Sequence, residues 1–315
     1  MLLQFLAPIL LFALPAQAGS GPWVTIENGQ FTQNGAPLRF VSANFWGALY
    51  VAATDPARLA RELDLLAAHG VRNLRVMAAF EGPDSEPWRM VPALRGDERT
   101  WSVKLEQGMD SLLVAAARRG MTLVITLGNF WPWSGGFGQL RSWADPALSI
   151  PYPPPAAGGD WNRYQRFAAR FYSEPQARTL YHEGVKRWVT RVNSITGVAY
   201  RNDPTILSWQ LANEPRGFGN VNAFNAWIEE SARAIKSLDP RHLLSVGTEG
   251  ETLDARGAGL DVVRNHSFEG VDYVTAHLWV QNWGGYDPIR QTETFSRAVA
   301  SARQYVRRHS ELAQQ

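Results

Sequence analysis

Residues 104 to 127 read Lys104-Leu-Glu-Gln-Gly-Met-Asp-Ser-Leu-Leu-Val-Ala-Ala-Ala-Arg-Arg-Gly120-Met-Thr-Leu-Val-Ile-Thr-Leu127. Lys104 to Arg119 reads as a helix, Gly120 stops it, and Met121 to Leu127 is a short apolar run of the kind buried on both faces of a sheet. The same alternation extends in both directions. Upstream, Asp55-Pro56 opens a helix with Leu59, Leu63 and Leu66 at helical spacing, Gly70 ends it, and Val71 to Met77 follows as a strand. Downstream, helices at 176–194, 223–238 and 294–308 alternate with strands at 205–211, 243–246 and 273–277, with a short helix at 261–265. Counting a first strand from Leu38 to Asn44, the chain holds six strand–helix units. Before them, Asn28-Gly29 and Asn34-Gly35 supply turn chemistry for a hairpin.

Repeated βα units imply a parallel sheet covered by helices, either doubly wound or closed as a barrel. No Gly-x-Gly-x-x-Gly follows the first strand, and a long Trp- and Gly-rich loop, Asn129 to Ser173, follows the third. Both features favour a (β/α)8 TIM barrel, of which about six of the eight units lie in this chain.

Composition narrows the chemistry. The 315 residues contain no Cys, which excludes disulfides, thiolate metal sites and cysteine nucleophiles. Lys occurs only at 104, 186 and 236, and the net charge is +2, so no basic arm tracks a phosphate backbone and no nucleic-acid partner is expected. His182-Glu183 lacks the second His of a zinc helix, so no zinc site is expected there. Met1 to Ala18 carries no ionisable side chain and ends Pro15-Ala16-Gln17-Ala18, which reads as a secretory signal without its usual basic start. Residues 19–315 then form the domain proper. No later stretch has the apolar length of a membrane span, so a soluble secreted or periplasmic location is expected.

Barrel chemistry gathers where strands end. There stand Ser42-Ala-Asn44-Phe-Trp46, Gly128-Asn129-Phe-Trp131-Pro-Trp133, Trp209-Gln-Leu-Ala-Asn213-Glu214-Pro-Arg216, Gly247-Thr-Glu249-Gly and His277-Leu-Trp279-Val-Gln-Asn-Trp283-Gly. An Asn-Glu pair suits sugar chemistry, because a Glu protonates a glycosidic oxygen while the amide bonds a ring hydroxyl. Taken alone, the dipeptide is equally compatible with a carboxylate held at a helix start. Trp faces suit the C–H faces of sugars, although about half of such Trp residues serve packing.

Those five blocks, in that order, resemble glycoside hydrolase family 5, and within it the endo-β-1,4-mannanases. The resemblance implies a retaining double displacement on mannan, glucomannan or galactomannan, with no metal or organic cofactor. Glu214 would be the acid/base, Asn213 the holder of the sugar 2-hydroxyl, and Arg75 the arginine that orients the nucleophile. Asn129 and His277 match polar active-site positions; Trp131, Trp279, Trp283, Trp46 and Asn44 would bind substrate, and Glu249 would support the site. Gly128 stands where many relatives carry Asn, and Trp279 where many carry Tyr.

One carboxylate is missing from the expected pair. In the family the nucleophile ends the seventh strand, and position 315 follows the sixth helix, so the nucleophile is expected beyond residue 315 and this chain alone is expected to hydrolyse little. Arg75 would lack its carboxylate and apolar helix faces would lie open. Two other readings stay open: an endo-β-1,4-glucanase of the same family, and a noncatalytic sugar-binding protein. Glu81 and Glu86 read as solvated loop carboxylates, and His69, His242 and His309 as helix-end or surface residues.

Overall fold

A computed structural model describes residues 23–315. The reading of Met1 to Ala18 as an export signal therefore lies outside the described residues. Chain entry is a three-stranded antiparallel sheet: β1 (Val24–Glu27), β2 (Gln30–Gln33) and β3 (Ala36–Pro37). Asn28 and Gly29 both take positive φ, 52° and 72°, as do Asn34 and Gly35, 56° and 72°. Paired left-handed residues give the primed turns that match strand twist, which explains both hairpins. Val24 packs with Val124, Leu207 and Leu243, so this small sheet seals the end of the main sheet where its strands begin.

The main sheet is parallel, with strands in chain order: β4 (Val41–Asn44), β5 (Val71–Met77), β6 (Thr122–Thr126), β7 (Ile206–Gln210) and β8 (Leu243–Ser245). Helices α1 (Ala48–Thr54) and α2 (Pro56–Ala68) follow β4, α3 (Val103–Ala117) follows β5, and α4 (Gly136–Ala144), α5 (Trp161–Ala169) and α6 (Pro175–Val189) follow β6. Next come α7 (Val221–Leu238) after β7, then α8 (Ala255–Ala258) and α9 (Val262–His266), and finally α10 (Gln291–Leu312). This is a partial (β/α)8 barrel. The Asp55 carboxylate caps α2 by accepting from Arg58 N at 2.8 Å, as the Asp-Pro opening implies.

Two departures have local causes, and a mid-helix glycine has a packing one. The expected strand over 273–277 reduces to one bridge, Ser245 to Tyr273, because β8 offers three residues before Gly247 and Gly250, both at positive φ, turn the backbone away. Residues 129–173 are not one loop: they contain α4 and α5, short helices obscured by Gly135, Gly136 and Gly138 and by the aromatic residues between them. Finally, α1 fits against α3 where Gly108 stands. A Cβ there would lie 2.3 Å from the Leu49 carbonyl oxygen, so the mid-helix glycine marks close approach of two backbones.

The core between β6 and the helices is aromatic. Phe137 stacks on Phe171 with centroids 4.1 Å apart, and Tyr181 and Trp227 meet Phe137 edge-on. On α10, Phe295 and Val306 remain 59% and 62% exposed. Two of the histidines read as helix-end or surface residues are buried. His242 is held between Asp239 Oδ2 and the Asp203 carbonyl oxygen, and His309 accepts the Glu251 N–H at 2.7 Å. Each is enclosed because a polar partner meets it there, which a single-letter reading of a helix end does not reveal.

Candidate active site

The site lies at the C-terminal ends of β4 to β8, where backbone bonds continue past the regular strands. Asn213 N donates to Gly128 O at 2.8 Å, Phe130 N to Asn213 O at 3.1 Å, and Glu214 N to Gly247 O at 2.9 Å. These bonds stitch together the segments after β6, β7 and β8. Gly247, at φ 88°, is required: a Cβ would lie 2.0 Å from the Ala212 carbonyl oxygen. Gly128 is also crowded, since an added Cβ would come within 3.1 to 3.2 Å of Leu211 O, Tyr181 and Phe137. The aromatic core occupies the space that a larger residue at 128 would need.

Glu214 itself has φ 52°, uncommon for a non-glycine residue and costly enough to require surrounding support. That support converges on its carboxylate. Oε2 accepts from the Trp131 indole N–H at 2.7 Å, and Oε1 accepts from Trp279 Nε1 at 3.1 Å and lies 2.7 Å from His277 Nδ1. Burial pushes the carboxyl up, but the hydrogen bond and charge of His277 and the two indole donors outweigh it, leaving Glu214 at about 2.

Behind Glu214, Asn213 donates to Asn129 Oδ1 at 3.1 Å and accepts from Arg75 at 3.2 Å, and Asn129 in turn donates to Ser134 Oγ at 3.0 Å. Both amides are buried, and each has its oxygen and one N–H engaged by these neighbours. The Arg75 guanidinium lies 4.4 Å from the centre of the Trp46 ring and bonds Gln210 through Nε at 2.8 Å, with a long contact to Asn44 at 3.5 Å. Among the described residues no carboxylate comes within ion-pair distance of Arg75. Burial pulls its guanidinium down to about 10, against the attraction of Glu214.

Asn44, Trp46, Arg75, Asn213, Glu214, His277 and Trp279 line one cleft of about 750 Å³, together with Ser42, Met90, Trp133, Ala276 and Leu278. Trp131 reaches Glu214 from beside this cleft. A second cavity of about 760 Å³, near α8 to α10, has no aromatic lining residue and does not contain Glu214. Besides Trp131 and the buried Asn129, two further expected site residues stand apart from the cleft. Trp283 packs edge-on against Tyr305, centroids 5.8 Å apart. Glu249 pairs with Arg216 at 2.6 Å behind Glu214; burial and the Glu214 charge push its carboxyl up to about 7 against the pull of Arg216.

Gln210 is the group that sequence reading missed. Besides Arg75, it accepts from Thr126 at 3.1 Å and donates to Ser245 at 3.1 Å, so one amide links β5, β6, β7 and β8. Its signal was a polar residue in a strand otherwise read as buried. Glu81 was misread in the opposite direction: it is partly buried and accepts the Gly136 N–H at 2.9 Å at the start of α4.

A family described as GH family 5 beta-mannosidase-like matches residues 22–315. The chain belongs to glycoside hydrolase family 5. It is 31% identical over 289 residues to mannan endo-1,4-beta-mannosidase 1 of Solanum lycopersicum, covering 87% of this chain and 67% of that protein. It is 32% identical to putative mannan endo-1,4-beta-mannosidase 5 of Oryza sativa subsp. japonica, with 84% of this chain and 54% of the relative covered. Among solved structures, the glycoside hydrolase family 5 mannosidase of Rhizomucor miehei superposes with a TM-score of 0.84 at 36% identity, over 92% of this chain and 70% of that one. A mutant of the Rhizomucor enzyme has been crystallised in complex with mannosyl-fructose. Family 5 membership makes the chain a glycoside hydrolase by kinship, with its parallel sheet a portion of the barrel of those neighbours.

Proposed function

We propose that this family 5 chain carries the proton-transfer half of a retaining β-mannanase acting on mannan, glucomannan and galactomannan. Glu214 protonates the leaving glycosidic oxygen and later deprotonates the attacking water, while Asn213 holds the 2-hydroxyl of the sugar under attack. The attacking carboxylate comes from chain beyond Gln315 and docks at Arg75. The observation that carries this reading is the pairing across one cleft of a carboxylate gripped by three side-chain N–H groups, Glu214, with an arginine that, among the described residues, is met by amide oxygens and an indole face and by no carboxylate at ion-pair distance.

The depressed Glu214 carboxyl supports the same division of labour. At about 2 it is ionised and has no proton to give. A second carboxylate seated nearby would raise it by like-charge repulsion and partly neutralise Arg75, which is how paired carboxyls in such sites acquire distinct roles.

The test is to extend the chain past Gln315 and measure reducing-end release from mannan, galactomannan and a cellulose derivative. Mannan cleavage that collapses in Glu214→Gln is expected. Preferential cleavage of the cellulose derivative would replace the reading with a glucanase, and tight sugar binding without turnover would replace it with a noncatalytic binder. The Rhizomucor mannosidase favours one second reading, a hydrolase of short mannosides. Mannose as sole product would identify it, whereas mixed oligosaccharides identify internal cleavage. Export is part of the proposal: fractionation should recover the protein outside the cytoplasm with residues 1–18 removed.

A further inference from the structure

Trp161, the first residue of α5, leaves 48% of its surface exposed although the helix beneath it is firmly seated. Asp160 caps α5 by accepting from Arg163 N at 2.7 Å. Tyr164, fully buried, donates its hydroxyl to the Phe130 carbonyl oxygen at 2.8 Å. Gln165, one turn beyond Trp161 and on the same helix face, accepts from Arg216 at 2.7 Å. Arg216 in turn covers the Trp131 ring at 5.0 Å from its centre. A helix with this many anchors has no packing need for an exposed indole at its first turn.

The position of that indole is informative. Trp161 meets Trp131 edge-on, centroids 5.7 Å apart and planes at 83°, and the Trp131 N–H is the donor that holds Glu214 Oε2. Neither ring lines the cleft that contains Arg75 and Asn213. A general acid stands at the junction between the sugar under attack and the sugar that leaves. Arg75 and Asn213 mark the attacked side, so the rings reached through the other carboxylate oxygen mark the leaving side.

We infer that Trp161 is a sugar-stacking platform on the leaving-group side, one ring beyond Trp131, and that it sets the length of mannan chain the protein prefers. This rests on the mannan reading above and extends it to a residue that no motif singled out. Trp161 meets Trp131 at a near-right angle and keeps about half its surface exposed, which leaves room on it for the C–H face of a pyranose ring. A chain too short to pass Trp131 would not feel it.

The test is titration of the 315-residue chain with mannobiose and mannotetraose by calorimetry, in wild type, Trp161→Ala and Trp161→Phe. Mannotetraose is expected to bind more tightly than mannobiose, and Trp161→Ala to weaken mannotetraose about five- to tenfold while sparing mannobiose. Trp161→Phe keeps an apolar ring and should restore most of the loss. Equal mannotetraose affinity in wild type and Trp161→Ala, with mannobiose still bound, would overturn the inference while leaving the mannan reading intact. If wild type binds neither mannoside but binds cello-oligosaccharides, the mannan reading fails, and the inference fails with it. An unchanged unfolding midpoint in Trp161→Phe guards against a folding artefact.

Discussion

The guanidinium of Arg75 on β5 is held by the side-chain oxygen of Gln210 on β7, across the one intervening strand β6, where a charged partner would be expected. Gln210 Oε1 faces only donors, Arg75 and Thr126, and its amide nitrogen donates to Ser245. An arginine whose charge is spread over amide oxygens and an indole face depends on each of them.

Gln210→Leu should therefore destabilise the fold by about 2 kcal/mol, since it strips a nearly buried cation and a buried hydroxyl of their acceptor at a stroke. Urea unfolding would register this as a lower midpoint with unchanged slope. Gln210→Glu is expected to behave differently, giving Arg75 a carboxylate and recovering most of the loss. An unchanged midpoint in Gln210→Leu would mean that Asn213 and Trp46 suffice for Arg75.

Gly247→Ala tests how Glu214 is aimed. The added Cβ would lie 2.0 Å from Ala212 O, in a residue whose φ is 88°, so the Gly247 to Glu214 backbone bond has to yield. A loss of about 2 to 4 kcal/mol is expected, accompanied by changed indole fluorescence if Trp131 and Trp279 lose the Glu214 carboxylate.

What the sequence disclosed and what it hid follow from range of interaction. The barrel was legible because Gly70 and Gly120 end helices just before β5 and β6, and β6 and β7 are short, mainly apolar strands, signals that act within a few residues. Asn213, Glu214 and Trp131 were legible through motif context. Gln210 was not, because its worth comes from Arg75, Thr126 and Ser245, none nearer than 35 residues along the chain. Trp283 was misleading for the mirror reason: it sits in the same motif as Trp279, yet Tyr305 on α10 draws its ring away from the cleft. The same distance effect separated Glu81 from its true setting, since Gly136 lies 55 residues further on.

Glu81 makes a pH prediction. Burial pushes its carboxyl up to about 7, against the Gly136 N–H and the charges of Arg95 and Arg89. A folded value above the unfolded one means that the fold is favoured by the protonated form, and that this advantage is lost as pH rises from the ordinary Glu range through about 7. Glu81→Gln keeps an acceptor for Gly136 and cannot ionise. Against wild type it should gain about 1 to 2 kcal/mol between pH 5 and pH 8, with discount for the partial exposure of the side chain. Parallel stability curves over that interval would show that Glu81 is already ionised at pH 5.

Glu214 gives the opposite sign, and its titration reaches the proposed chemistry directly. Its carboxyl is lowered to about 2, so the folded state favours the ionised form; that contribution is complete above the unfolded value of about 4.5 and is lost as pH falls through about 2. Replacing it by Gln leaves the Trp131 and Trp279 N–H groups competing for a single amide oxygen and should destabilise the fold by about 2 kcal/mol at pH 6. Lowering the pH to 3.5 should narrow the gap between wild type and Glu214→Gln by about 1 kcal/mol, because by then the unfolded chain has taken up its proton. In a chain extended past Gln315 the gap should hardly change with pH over the same interval: a second carboxylate beside Arg75 raises Glu214 toward its unfolded value and removes the linkage. Identical pH dependence in the two chains would mean that no such carboxylate approaches Glu214, and the acid/base role would then need a different partner.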